Sequence, residues 1–193
     1  MNGKTLDKRR QALVAALKDP NEEVRAAAAY SLERLEGLGG LEEILDLLRK
    51  GNRPAKIKAI YALGAIGGEK VLPPLLYCIS RPEDDIKSAA IEVLGNLAHQ
   101  AALMPLVDKL RDPSTAIRAK AIAALANFRD PSLVPVLLPF LDADDGFIDA
   151  EAARTLGQIG NRQLEDRLIA LMQSRHPSTR EAAATALGKL APA

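Results

Sequence analysis

The chain has 193 residues with 26 Lys and Arg against 25 Asp and Glu, a formal net charge of +1, so no global field steers it onto nucleic acid or an anionic membrane. It is 48% hydrophobic but only 3% aromatic and lacks tryptophan, which points to a core of Ala, Leu, Ile and Val packed at short range. A single cysteine, Cys78, excludes an internal disulfide framework and fits a reducing compartment.

At the N-terminus, Lys8, Arg9 and Arg10 precede an apolar stretch that Lys18 and Asp19 interrupt, too early for a signal peptide. No apolar run approaches the length that spans a bilayer, so a cytoplasmic protein is expected. The rest of the chain falls into six windows of one period, 7–37, 38–68, 69–99, 100–130, 131–161 and 162–192. Self-similarity of this kind marks a stacked array in which each unit buries its apolar face only against its neighbours, so residues 1–193 are read as one elongated domain.

Each window is predicted to be a helical hairpin. In the first, Leu13 and Leu17 lie on one helix face, Asp19-Pro20 makes the turn, and a second helix starts near Val24. The second window repeats this with Ile44 and Leu48, and its flanking glycine pairs, Gly39-Gly40 and Gly67-Gly68, read as helix ends. In the third, fourth and fifth windows Pro73, Pro74, Pro105 and Pro135 fall near the starts of first helices, where a missing amide hydrogen costs little. Pro139 lies deeper and predicts a bend or an early stop. The sixth window closes with Leu168, Met172 and a second helix from Thr179.

The second helices align column by column. An alanine column runs Ala28, Ala59, Ala90, Ala121, Ala152, Ala183, and a leucine column Leu32, Leu63, Leu94, Leu125, Leu156, Leu187. Leu35, Ile66, Leu97, Phe128, Ile159 and Leu190 form a third. At about 100° per residue these share one buried arc. Next to it runs a mostly tiny column, Glu33, Gly64, Gly95, Ala126, Gly157, Gly188, where a neighbouring backbone can approach closely.

The segments VRAAAAYSL at 24–32, IKSAAIEVLGNL at 86–97, IRAKAIAALANF at 117–128 and IDAEAARTLGQIG at 148–160 resemble the HEAT-like repeat of the phycobilisome-lyase type over essentially the whole chain. The resemblance implies an all-α fold, an α-solenoid with a right-handed superhelix of six hairpins, first helices convex and second helices concave. At about 8–10 Å between helices the six units would stack over roughly 50 Å. Enzymes built on such repeats carry specific residues. The deoxyhypusine hydroxylase branch has paired His-Glu metal ligands, whereas His99 and His176 are not followed by Glu and fall at predicted loops. The HEAT-like DNA glycosylases use aromatic residues on the concave face, against which the lack of tryptophan argues.

Other candidate chemistry reads as structural. Arg25, Lys56, Lys87, Arg118, Asp149 and Arg180 form a cation column interrupted at Asp149; it lies within the buried arc beside the inter-helix loop, so the cations are expected to bind loop carbonyls or carboxylates such as Asp19 and Asp112. Asp142, Asp144, Asp145, Asp149 and Glu151 surround Gly146, but the spacing departs from a calcium loop, and helix capping by Asp144 or Asp145 is expected instead. Cys78 is expected to be a packed thiol. No catalytic residue, cofactor or metal is expected.

What remains is the exposed face of the second helices. Tyr30 and Tyr61 share a column and, with Ile57 and Arg34, predict an aromatic and apolar patch towards the N-terminus. Lys58, Glu92, Lys120, Glu151 and Arg154 predict a mixed-charge groove beyond it. This reading is a non-enzymatic scaffold, favoured as a monomer, that holds a partner protein or peptide. Two alternatives stand beside it: a lyase or chaperone component for tetrapyrrole-carrying proteins, suggested by the resemblance alone, and a weak nucleic-acid binder using the cation column.

Overall fold

The computed structural model describes residues 3–160 and 162–190, with side chains for 8–29, 31–32, 40–160 and 163–190. Among them there is no strand, and no helix is long and apolar enough to cross a membrane. Contacts divide the chain into two compact units, Met1–Leu63 and Gly64–Ala193.

The first unit holds α1 (Gly3–Ala16), α2 (Glu22–Lys50) and most of α3 (Arg53–Ile66). Asn21 starts α2: its side-chain oxygen accepts the amides of Glu23 at 2.8 Å and Val24 at 3.4 Å, and Glu22 and Glu23 complement the helix dipole. Here one expectation fails. Gly39 and Gly40 do not end a helix, and α2 runs through them to Lys50, so the second helix of the first repeat and the first helix of the second are one element. Helix interiors tolerate glycine at about 1 kcal/mol each, and the strong helix formers from Leu41 to Lys50 carry the helix onward.

The second unit follows the predicted hairpins closely. Its first helices are short: α4 (Leu72–Cys78), α6 (Gln100–Asp108), α8 (Val134–Leu137) and α10 (Glu165–Leu171). Its second helices are α5 (Asp84–Leu97), α7 (Thr115–Leu125), α9 (Ile148–Ile159) and α11 (Pro177–Leu187), with α5 on α7, α7 on α9 and α9 on α11. Pro73, Pro74 and Pro135 sit in the first turns of their helices as expected. Pro105 does not: α6 begins at Gln100, which places the proline inside it. Pro139 produces the early stop, since α8 ends at Leu137 and the chain continues as a 3-10 turn, Leu138–Asp142.

Four second helices end on one device. Gly67, Ala98, Arg129 and Gly160 are spaced by one repeat, and all have left-handed φ of 67°, 45°, 50° and 71°. Three of the amides turn back on the preceding helical turn: Ala98 to the Leu94 carbonyl, Arg129 to that of Ala126 in the 3-10 turn that follows α7, and Gly160 to that of Leu156. The corresponding residue of the first repeat is Glu36, within the continuous α2.

The core lies along the predicted columns. Leu94, Leu125 and Leu156 are fully buried, as are Ala90, Ala121, Ala152 and Ala183, and each leucine contributes about 1.5–3 kcal/mol relative to exposure. The third column is looser, and Ile66 is 49% exposed. Close approach occurs at the tiny column. A Cβ added to Gly95 would stand 2.6 Å from the Cβ of Ala124, and one on Gly157 2.5 Å from that of Ala186. Between these two junctions the column holds Ala126 and its neighbour is the larger Thr155, whose hydroxyl donates to the Ile122 carbonyl at 3.2 Å.

Candidate functional site

Four of the five cations of the column, Arg25, Lys87, Arg118 and Arg180, are structural, as their place beside the loop predicted. Arg25 Nη1 donates to the carbonyls of Asp19 at 2.9 Å and Pro20 at 3.0 Å, and Arg118 Nη1 donates to those of Asp112 at 3.0 Å and Pro113 at 3.1 Å. Arg180 Nη1 reaches the Ser174 carbonyl at 2.7 Å. Each arginine thus ties down the carbonyl six residues before it. Lys87, 7% exposed, instead joins two carboxylates, Asp84 at 2.9 Å and Asp112 at 3.1 Å. Burial disfavours its charge, but the hydrogen bonds to Asp84 and Asp112 outweigh burial and raise its pKa, while Lys87 in turn holds the Asp84 carboxyl below its ordinary value. These cations are engaged with the chain itself.

In the acidic cluster, Asp145 holds the turn that leads into α9: its Oδ1 accepts the amides of Phe147 at 2.8 Å and Ile148 at 2.7 Å, while the N-cap residue itself is Phe147 and has no side-chain cap. Asp144 does not cap; it has a left-handed backbone and pairs with Arg175 at 3.1 Å. His99 and His176 occupy helix N-caps, and Cys78 is buried.

The exposed face is narrower than the helical wheel predicts. Ala89, Ala119, Ala150 and Ala182 lie on the outer side of the helical wheel, opposite the alanine and leucine columns, yet they are buried, because the flanks of side-by-side second helices are covered by the adjacent repeats. In the second unit the exposed row runs Ala65, Asn96, Asn127, Gln158 and Lys189, and its three middle members carry side-chain amides. Beside it the predicted charges pair across repeats. Lys120 Nζ lies 2.7 Å from Glu92, and Arg154 Nη2 lies 2.8 Å from Glu181 with Nη1 3.4 Å from Glu151. The Glu181 carboxylate raises the pKa of the Arg154 guanidinium. Asn127 Nδ2 donates to the Gly95 carbonyl at 3.1 Å.

In the first unit Tyr61 is 45% exposed, Lys58 is exposed and Ile57 is half-buried on α3. The backbones of Tyr30 and Arg34 belong to α2, and their side chains lie outside the described residues. Repeat spacing alone could have singled out the amide row, and Asp149 reads in sequence only as a gap in the cation column and a member of the acidic cluster around Gly146.

A chain built of helical hairpins at constant period, with second helices stacked on small-residue contacts, is an all-α repeat solenoid. It belongs to the HEAT repeat family, whose model matches residues 10–95, 72–150 and 143–193. No curated protein matches it in sequence. Among solved structures it is similar to YibA of Escherichia coli, at 18% identity and a TM-score of 0.61 over 98% of this chain and 70% of that one. It is also similar to a designed armadillo repeat protein in complex with the peptide (KR)4, at 19% identity and TM-score 0.60 over 93% and 98%. The complex of CpcE and CpcF of phycocyanin lyase from Nostoc gives 21% identity and TM-score 0.52 over 93% and 76%. At these identities the likeness is one of fold.

Proposed function

We propose that this protein is a non-enzymatic scaffold that holds a partner protein or peptide on the exposed face of its second helices. The observation that carries this reading is the row Asn96, Asn127 and Gln158, repeated on successive helices and flanked by the Glu92–Lys120 and Glu151–Arg154–Glu181 pairs. Side-chain amides both donate and accept, which suits the peptide groups of an extended chain. Helices about 8–10 Å apart and a rise of about 3.3 Å per extended residue bring one peptide group to each amide roughly every third residue. The flanking ion pairs can exchange partners with charged side chains of the ligand at little net cost. On the first unit, Tyr30, Arg34, Ile57, Lys58 and Tyr61 are proposed as a separate anchoring patch.

The test is cross-linking with mass spectrometry from native lysate, comparing the wild type with an Asn96→Ala, Asn127→Ala, Gln158→Ala variant of equal helicity. Loss of a specific cross-linked protein in the variant is the expected result. Identical cross-links from both would refute the assignment of the amide row. A parallel Tyr30→Ala, Tyr61→Ala variant tests the patch on the first unit.

A further inference from the structure

The exception in the cation column has a pocket beside it. Where the column holds arginine, the guanidinium fills the space next to its own inter-helix loop, and where it holds Lys87 the ammonium lies between two carboxylates. In the fifth repeat the residue is Asp149, and the place of the cation is taken by an acid. Asp149 is 1% exposed. Its Oδ1 accepts the Ala150 amide at 2.8 Å; Oδ2 accepts no hydrogen bond, and no cation pairs with the carboxylate, among the described residues.

Asp149 lines an open surface pocket of about 330 Å³, together with the apolar residues Leu141, Ala170 and Leu171 and the polar residues Gln173 and Ser174. That volume is at the lower bound of small-ligand sites, roughly 300 Å³. The other two acids of the lining are already neutralised, Asp142 by Arg167 at 2.6 Å and Asp144 by Arg175 at 3.1 Å. The uncompensated charge of the pocket is therefore that of Asp149, and a buried carboxylate without a counter-charge is costly.

We propose that this pocket binds a guanidinium group on an aliphatic stem, supplied by a ligand of the protein. Asp149 accepts its charge-assisted hydrogen bonds, the Gln173 side-chain carbonyl accepts a further N–H, and Leu141, Ala170 and Leu171 cover the stem. Arg175 Nη2 already reaches the Asp144 carbonyl of this loop at 3.1 Å, so the ligand supplies a counter-charge to Asp149 and does not take over the loop contact that Arg118 and Arg180 make in the adjacent repeats. A planar fork matches a carboxylate better than a spherical ammonium does. A divalent cation is disfavoured because no group of three or more metal-ligating side chains is gathered among the described residues. The pocket shares no residue with the amide row or the ion pairs beside it, so the inference stands or falls separately from the proposed function.

The experiment is an amide NMR titration of the full chain with agmatine, an alkylguanidinium, alongside butylamine and Ca²⁺. Agmatine should move the Ala150 amide saturably and more tightly than butylamine or Ca²⁺. Asp149→Asn should weaken that response about tenfold or more, the loss expected for a charge-assisted hydrogen bond. Asp149→Arg, which restores the residue type of the column, should fill the pocket and abolish the response. An Ala150 amide unmoved by agmatine up to about 10 mM overturns the proposal. So does an Asn variant that binds as the wild type does, or tighter binding of Ca²⁺ or butylamine at the same amide. Should both variants lose helicity, the ranking of the three probes on the wild type decides.

Discussion

Gly157→Ala should destabilise the protein although alanine is the better helix former. The new Cβ would lie 2.5 Å from the Cβ and 2.7 Å from the Cα of Ala186, about 1 Å inside carbon–carbon contact. The obstacle includes backbone, so no rotamer change relieves it, and α9 and α11 must separate. Overpacking of this kind costs about 1–3 kcal/mol, against a propensity gain of about 1 kcal/mol, leaving a net loss of up to about 2 kcal/mol. Gly188 supplies the control. It belongs to the same column, but its nearest neighbours are its own helix's carbonyls, Ala184 and Thr185, at 3.7 Å, and its φ of −68° suits any residue. Gly188→Ala should therefore stabilise by about 0.5–1 kcal/mol. Thermal melts followed by circular dichroism separate the two, since 1 kcal/mol moves Tm by roughly 2–4 °C in a chain of this length. A Gly157→Ala Tm at or above the wild type, or the same shift in both variants, would refute close approach at this column.

Leu125→Ala, at a fully buried site, should cost about 2–5 kcal/mol in urea unfolding, and a loss under 1 kcal/mol would mean that the stack relaxes around the cavity. Ala98→Gly and Arg129→Gly relieve left-handed strain of about 1–2 kcal/mol and should each raise stability by about 0.5–1 kcal/mol after the entropy of glycine is deducted; a lower Tm in both would contradict the strain. Lys87→Met removes the counter-charge from buried Asp112 and should cost about 3 kcal/mol by equilibrium unfolding. The same cluster sets a pH dependence. The Asp84 carboxyl is depressed, so its contribution is present above its unfolded value near 3.9 and lost as pH falls through that region; the Lys87 ammonium is raised, so its contribution is present below about 10.4 and lost as pH rises further. Tm against pH should lose the Lys87 contribution in Lys87→Met and keep only the part of the Asp84 contribution that its hydrogen bond with Ser114 supplies, and an unchanged profile would remove the cluster as their source.

Much of the fold is legible because a repeat states its own alignment. The leucine, alanine and glycine columns name buried and touching positions without reference to structure, and Pro139 marks the end of α8 through its missing amide hydrogen. The continuous α2 is not legible in the same way: glycine permits either a left-handed stop or helix, and the flanking segment decides. The helical wheel overstates the exposed face because it describes one helix alone, whereas neighbours cover both flanks of a stacked one, as Ala119 and Ala150 show. Pairings across repeats, such as Arg154 with Glu181, depend on spacing between helices that a single helix does not encode. For the same reason Asp149 reads in sequence as an interruption, and only the space around it gives it chemistry.

The left-handed residues at Gly67, Ala98, Arg129 and Gly160 also make length a separable variable of this protein. Each marks the same point in the backbone path, so excising residues 99–129 would join Ala98 directly to Asp130, itself the counterpart of His99 as a cap for the next helical turn. Every column would keep its register across the seam. The altered contact would set Gly95 against Thr155 in place of Ala124, and the glycine supplies the room a larger neighbour needs, as Gly64 already does for Val93. Growth or contraction by whole units is thus written into four backbone angles rather than into any one side chain.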